Sequence, residues 1–149
     1  MTLDNVKLFI GHDPGAPYDK AVDALTFERA RNLKLRDVEV IWEEPAYDRW
    51  RSALRLEDVS GLELRGFSGR PARPGVAAAV ILDGVEEALI TGSRAASGTD
   101  VFLDVRGAGS RGIVFSGNDV RNAAVPVRTA PEVAPRAVIS RNNLVGNDR

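Results

Sequence analysis

The sequence predicts an all-β fold, a right-handed single-stranded parallel β-helix of about five to six coils. Two observations lead to this prediction. First, pairs of apolar residues separated by one position recur every 24–29 residues along the chain, and repeats of this length are typical of solenoids. Second, each repeat carries short runs of alternating apolar and polar residues bounded by Gly, Asp, Asn or Ser, which indicates strands.

Two series of apolar pairs predict two strands in each coil. The first series is Val6/Leu8, Leu33/Leu35, Leu62/Leu64, Ala88/Ile90, Ile113/Phe115 and Ala137/Ile139. The second series is Leu25/Phe27, Leu54/Leu56, Val80/Leu82, Val101/Leu103 and Val125/Val127. No segment of useful length shows the helical period of 3.6 residues, so a helix-containing repeat is not expected. We therefore expect one β-helix domain over residues 1–149, forming the C-terminal part of a longer β-helix.

Aligned columns of the repeat predict which residues stack on one another. Asn118 and Asn142 fall in one column, which indicates an asparagine ladder between coils. The outward-facing column changes from Lys7, Lys34 and Glu63 to the apolar residues Leu89, Val114 and Val138, and the neighbouring outward positions add Ile81 and Phe102. A contiguous apolar stripe on an outer surface is usually covered. We expect a homo-oligomer contact through Ile81, Leu89, Phe102, Val114 and Val138, or else a covering loop or tail.

The first coil is a second candidate for an oligomer contact. Solenoids need capping at both ends, and residues 1–5 offer no cap. An open first coil would present a strand edge on which another coil or chain can pair.

Composition excludes several classes of function. The formal net charge of −1 argues against nucleic acid as a partner, since phosphate binding requires an excess of Lys and Arg. No stretch approaches the ~20 apolar residues of a membrane span. The chain has no cysteine and one histidine, His12, which argues against thiolate or multi-histidine metal sites and against a Ser-His-Asp triad. We expect no metal.

One segment matches a dinucleotide-binding fingerprint by spacing alone. Residues 107–112 read Gly-Ala-Gly-Ser-Arg-Gly, but the chemistry of that motif requires a helix starting at the third glycine to hold the pyrophosphate. The segment that follows, Ile113-Val-Phe-Ser, is rich in strand-forming residues and in register with the repeat. We therefore expect no nucleotide cofactor.

The longest return loop is the strongest candidate for ligand contact. It brings both tryptophans and one of the two tyrosines into nine residues, interleaved with charged side chains. Aromatic faces stack on sugar rings, and charged groups bond hydroxyls and uronates. The predicted carbohydrate-binding residues are Trp42, Tyr47, Asp48, Arg49 and Trp50. The alternative is that this large aromatic loop packs against the outside of the coils as a satellite core.

Glycoside hydrolysis requires two carboxyl groups facing one groove. The outward acidic residues are Glu28, Asp37, Glu39, Glu57 and Glu63, and they include neither an aspartate pair nor a cluster of three. We interpret them as solvated surface charges, with an ion pair between Lys34 and Glu63. His12 with Asp13 is a weak candidate for acid–base chemistry, and a plain loop role is the simpler interpretation.

Several phrases of the repeat resemble a known family. The segments 27–38, 54–64 and 109–118 are similar to the late coils of bacterial proteins in glycoside hydrolase family 28, the polygalacturonase-like group of the pectin-lyase-like superfamily. The resemblance implies a secreted or periplasmic parent that acts on pectic polysaccharides. Its catalytic segments, which are Asn-Thr-Asp, Asp-Asp, Gly-His-Gly and Arg-Ile-Lys, do not occur in this sequence, so no catalytic residue is carried over.

Two hypotheses about function follow. In the first, the chain is the C-terminal β-helix region of a pectinase-like glycoside hydrolase, inactive alone, which supplies scaffold and carbohydrate contacts. In the second, it is a free-standing β-helix module that binds carbohydrate or assembles, with no catalytic activity.

Overall fold

The chain folds as a parallel β-solenoid of about five turns, which confirms the predicted β-helix. The computed structural model describes residues 1–15 and 22–146. These residues form fifteen strands arranged in two parallel sheets. The described part of the chain contains no helix, and hence no helix long and apolar enough to cross a membrane.

Successive turns contribute equivalent strands to the two sheets. Sheet A contains β1 (Thr2–Ile10), β3 (Arg31–Trp42), β5 (Ser60–Arg65), β6 (Ser68–Gly69), β8 (Glu86–Thr91), β9 (Arg94–Ala95), β11 (Arg111–Ser116), β12 (Asp119–Val120), β14 (Val138–Arg141) and β15 (Leu144–Val145). Sheet B contains β2 (Leu25–Glu28), β4 (Leu54–Glu57), β7 (Ala78–Asp83), β10 (Thr99–Arg106) and β13 (Ala123–Thr129).

Each coil follows the same path. A strand of sheet B is followed by a corner, a strand of sheet A, a second corner, a further segment of sheet A and a return loop. Strand β3 is long enough to pair with both β5 and β6 across the second corner. In the central coils the predicted register is confirmed, because Leu33 pairs with Leu62, Leu62 with Ala88, and Ala88 with Ile113.

The second corner is built by residues with a left-handed backbone. Asn5, Asp37, Gly66, Gly92, Gly117 and Asn142 follow one another from coil to coil, with φ angles between 51° and 70°. Only Gly adopts such angles without steric cost, and Asn and Asp tolerate them better than other residues. This column of Gly, Asn and Asp explains the regular turn residues that punctuate the repeat.

The interior is a continuous stack of apolar side chains. Rings of Phe67, Phe102 and Phe115 lie in a row with centroids 6.3 and 6.0 Å apart. The predicted outward position of Phe102 is therefore wrong, since its side chain is completely buried. Ile81 is also unavailable as an outer contact, because it is 3% exposed and packs with Ala78 and Val101 in a small separate cluster.

The predicted register is wrong in the first coil. Val6 and Leu8 pair with Val38 and Val40, not with Leu33 and Leu35. As a result Lys7 lies beside Glu39 and does not share a column with Lys34. Strand β1 pairs along almost the whole of the bent strand β3, and an apolar pattern of period two does not say which part of β3 it matches.

The last coils show smaller register shifts. Ile113 pairs with Val138, so the outward neighbour of Val114 is Ile139 and the predicted outward position of Val138 is wrong. In sheet B, Val80 pairs with Leu103, a shift of two residues from the predicted match with Val101. A register shift of two residues keeps the same side chains facing inward, whereas a shift of one residue turns them outward.

An asparagine ladder crosses the last coils. The Oδ1 of Asn118 accepts the Ser93 backbone N–H at 2.9 Å, and the Asn118 Nδ2 donates to the carbonyl of Ile90 at 3.0 Å. The next member is Asn143, whose Oδ1 accepts from the Asn118 backbone at 2.9 Å. The ladder is confirmed, but the predicted member Asn142 is wrong because that residue occupies the left-handed corner.

We predict that Asn118→Ala lowers the free energy of unfolding by about 2–4 kcal/mol, because it leaves a buried N–H and a buried carbonyl without partners. Urea denaturation followed by circular dichroism measures the change. Asn122→Ala is the matched control, since the Asn122 side chain is exposed and makes one bond to the Ala95 carbonyl at 3.2 Å. Equal losses in the two variants would contradict a structural role for the ladder.

Candidate functional site

The aromatic return loop forms a cluster at the side of the coils. The indole rings of Trp42 and Trp50 lie 5.6 Å apart, and the Tyr47 ring lies 4.9 Å from Trp50. Trp42 is 4% exposed and Trp50 is 1% exposed. We call these three residues and His12 the aromatic cluster. Its two tryptophans are part of the hydrophobic core, so neither indole face is open to a sugar ring.

His12 completes this cluster from the preceding coil. Its imidazole lies 4.3 Å from the Tyr47 ring and 5.3 Å from Trp50, measured between centroids. The Glu43 carboxylate accepts the His12 backbone N–H, and its Oε2 lies 3.6 Å from the His12 Nδ1. The charged neighbour of His12 is therefore Glu43 and not Asp13, which was the partner considered from the sequence.

The remaining predicted site residues lie on the outer rim of the loop. Asp48 and Arg49 are exposed, and Tyr47 is half-buried. The Arg49 guanidinium carbon lies 4.6 Å from the centroid of the Tyr47 ring, within the range of a cation–π contact. Of the five predicted residues, Trp42 and Trp50 are therefore buried, Tyr47 is half-buried against them, and Asp48 and Arg49 are exposed.

Arginines join this loop to the return loop of the next coil. Arg70 forms an ion pair with Glu44 and donates to the carbonyls of Pro71 at 3.0 Å and Ala72 at 2.8 Å. The Arg73 Nη2 donates to the Asp48 carbonyl at 2.8 Å. We call the joined segments 43–53 and 70–77 the loop shelf. The ion pair and hydrogen bonds between these two segments hold Tyr47, Asp48 and Arg49 in defined positions beside sheet B.

An arginine-lined cavity lies where the loop shelf meets the outer face of sheet B. Its volume is about 200 Å³. Its lining consists of Arg51, Gly75, Val76, Ala77, Asp100, Val101, Arg106 and Arg128. The Arg51 Nη2 donates to the Val76 carbonyl at 2.7 Å, which ties the two loops together at its edge. We call this cavity the arginine pocket.

A buried carboxylate orients two of the three arginines. Asp104 is 3% exposed, and its Oδ2 accepts from the Arg106 Nε at 2.9 Å and from the Arg128 Nη2 at 3.0 Å. The hydrogen bond that Arg128 donates to the Asp104 carboxylate raises the pKa of Arg128. A guanidinium carries five N–H donors, so each of these arginines keeps donors for another acceptor.

The charge around the arginine pocket favours an anion. Three guanidinium groups, those of Arg51, Arg106 and Arg128, face two carboxylates, Asp104 and the pocket-lining Asp100. The local balance is positive, in contrast to the net charge of −1 of the whole chain. Arginine forks match carboxylate, sulfate and phosphate groups in two-point geometry.

Sequence reasoning missed the arginine pocket because its residues come from separate coils. Arg51 belongs to a return loop, Arg106 ends strand β10, and Arg128 lies in β13. The sequence does contain one signal for this pocket. Asp104 and Arg128 are 24 residues apart, about one repeat, and they are neighbours in the register of β10 and β13. A charged residue inside an otherwise apolar strand, with the opposite charge one period later, indicates a cross-coil pair.

Three of the five outward carboxylates considered for hydrolysis lie in ion pairs. Glu39 lies 3.6 Å from Lys7, and Glu57 lies 3.6 Å from Arg55. Glu63 contacts Arg65 at 2.6 Å and Arg36 at 3.4 Å, not Lys34 as the sequence suggested. The hydrogen bond from Arg65 lowers the pKa of Glu63.

Two further sequence features have structural roles. Gly107 and Gly112 have left-handed backbones, with φ of 88° and 64°, at coil corners, and strand β11 rather than a helix spans Arg111–Ser116. Among residues 1–15 and 22–146, no group of three or more His, Asp or Glu side chains is arranged to hold a metal ion.

Comparison with models of known protein families, with curated proteins and with solved structures finds no match to this chain.

We predict that Trp50→Ala lowers the free energy of unfolding by about 3–5 kcal/mol, because the indole is fully buried among Trp42, Tyr47 and His12. Arg49→Ala, a substitution at the exposed rim of the loop, is expected to change the free energy of unfolding by less than about 1 kcal/mol. Denaturant titration of both variants measures the difference. A small loss for Trp50→Ala would show that the loop does not pack as part of the core.

Proposed function

We propose that this chain is a β-helix scaffold that binds an acidic polysaccharide along the loop shelf and the arginine pocket. The observation that carries the proposal is the arginine pocket, where Asp104 orients Arg106 and Arg128 beside Arg51. A uronate carboxylate accepts paired hydrogen bonds from such guanidinium groups. An acidic polysaccharide carries carboxylates at regular intervals. When one of them binds in the arginine pocket, the neighbouring sugar units lie over the loop shelf.

The rim of the loop shelf supplies the second contact in this proposal. Tyr47, Asp48 and Arg49 are held beside sheet B by the bonds from Arg73 and by the buried Trp50. Asp48 accepts from sugar hydroxyls, and Arg49 donates to hydroxyls or carboxylates. Loops on a rigid scaffold are where binding groups are usually placed, and a rigid loop loses little entropy on binding.

In this proposal the chain contributes binding and not bond cleavage. The outward carboxylates Glu39, Glu57 and Glu63 are held in ion pairs, and a glycosidase requires two carboxyl groups free to exchange protons across one groove. The resemblance to family 28 supports a role as the C-terminal coils of a pectinase-like hydrolase. A free-standing binding module is the alternative, and it rests on the same surface.

We predict that oligogalacturonides bind this chain, and that neutral galactose oligomers of equal length bind at least about tenfold more weakly, since each charged hydrogen bond contributes about 1.5–3 kcal/mol. Isothermal titration calorimetry at low salt measures both affinities. Binding should weaken as salt rises because solvent-exposed charge contacts are screened. A parallel assay for new reducing ends is expected to show no cleavage.

Variants of the pocket locate this binding. Arg128→Gln is expected to reduce the affinity for oligogalacturonides about tenfold by removing one charged donor. The control is Arg111→Gln, an exposed residue on the other sheet that pairs with Glu86. Equal affinity of all three proteins would place any binding elsewhere, and release of reducing ends by the wild-type chain would refute the non-catalytic role.

A further inference from the structure

The arginine pocket contains one carboxylate that none of its arginines bonds. Asp100 lies in β10 and lines the pocket. Within the described part of the chain, no hydrogen bond or ion pair joins its carboxylate to another side chain, whereas Asp104 of the same strand is bonded by Arg106 and Arg128. A pocket for a simple inorganic anion gains nothing from a second negative charge, because like charges repel. The role of Asp100 therefore has to be sought in a ligand that carries more than an anionic group.

The backbone opposite Asp100 leaves room in front of this carboxylate. Gly75, which also lines the pocket, has a φ angle of 81°, a left-handed conformation that suits glycine. A Cβ atom at position 75 would lie 3.5 Å from the Asp100 Oδ2, so a side chain there would fill the space beside it. Asp100 itself is half-buried. Since an ionised carboxylate only accepts hydrogen bonds, Asp100 offers the pocket an acceptor for a ligand hydroxyl.

The pocket thus combines donors for a carboxylate with an acceptor for a hydroxyl. Arg106 and Arg128 supply the donors and Asp100 supplies the acceptor, all within a cavity of about 200 Å³. At ~30 Å³ for each water molecule, this volume corresponds to about seven waters, which admits one uronate unit and not a pair. The carboxylate and the hydroxyl that the pocket recognises therefore belong to the same sugar unit.

The position of that hydroxyl distinguishes the end of a polymer from its interior. The units of a galacturonan are joined through O4, which is the hydroxyl next to the carbon that carries the carboxyl group. O4 is a free hydroxyl only on the unit at the non-reducing end, and in every internal unit it has no proton to donate to Asp100. An internal unit also needs an exit on both sides, whereas the bond from the Arg51 Nη2 to the Val76 carbonyl at 2.7 Å closes one edge of the pocket.

We propose that the arginine pocket binds the non-reducing terminal unit of an acidic polysaccharide. Arg106 and Arg128 donate to the carboxylate of this unit, and Asp100 accepts a hydrogen bond from its O4 hydroxyl. The following units leave the pocket in one direction and lie over the loop shelf. This inference rests on the proposed function and narrows it, because the site then recognises the end of a polymer and not its repeating interior.

Oligogalacturonides of equal length with two kinds of terminal unit test the role of Asp100. A terminal unit with a double bond between C4 and C5 keeps its carboxylate and lacks O4. By calorimetry, the wild-type chain is expected to bind the saturated form at least about tenfold more tightly, because the unsaturated form loses a hydrogen bond to a charged group. Asp100→Ala is expected to bind both forms equally. Asp4→Ala, which removes the same charge from an exposed position on sheet A, is the control and keeps the preference.

The stoichiometry of binding tests end recognition with the wild-type chain alone. One protein molecule is expected to bind each saturated galacturonan chain whatever its length, and reduction of the reducing end to an alcohol is expected to leave the affinity unchanged. A number of bound proteins that rises with chain length, equal affinity of the wild type for the two terminal units, or weaker binding after reduction would overturn this inference and leave the proposed function standing. Absence of binding by every galacturonan would refute the proposed function, and this inference with it.

Discussion

The parallel hydrogen bonding between successive coils is the constraint on which the rest of the structure depends. Because each coil must lie in register on the previous one, the backbone has to bend at the same place in every turn. The second corner shows this requirement, with left-handed residues from Asn5 through Gly66 to Asn142 stacked above one another. The φ angle matters more at this corner than the side chain does, which explains why the column contains only Gly, Asn and Asp.

The same register turns single residues into columns with collective properties. Inside, the aromatic row around Phe102 and the ladder through Asn118 each link several coils, so that one substitution affects the contacts of its neighbours above and below. Outside, the carboxylate of Asp104 is stabilised by Arg128 of the next coil. A buried carboxylate of this kind is tolerable only because charged donors satisfy it.

The return loops are not held to the hydrogen-bonding register between coils. In these loops the molecule differs from a regular stack of coils. The loops 43–53 and 70–77 are long, and arginine bonds join them into a shelf beside sheet B. The scaffold holds the shelf rigidly, and the shelf in turn closes one side of the arginine pocket. The lateral surface that we propose for ligand contact is thus built by the return loops and held in place by the repetitive coils.

The sequence by itself determined the solenoid, its period, most of the strands and the inward face of the central coils. These features depend on the local alternation of apolar and polar residues, which recurs in every repeat. It did not determine register where alternation is ambiguous: β1 matched another part of β3 than expected, Phe102 turned inward, and Asn143 rather than Asn142 joined the ladder. The burial of Trp42 and Trp50 and the grouping of Arg51, Arg106 and Arg128 were decided only by the tertiary structure, since they depend on contacts between loops and coils that are distant in sequence.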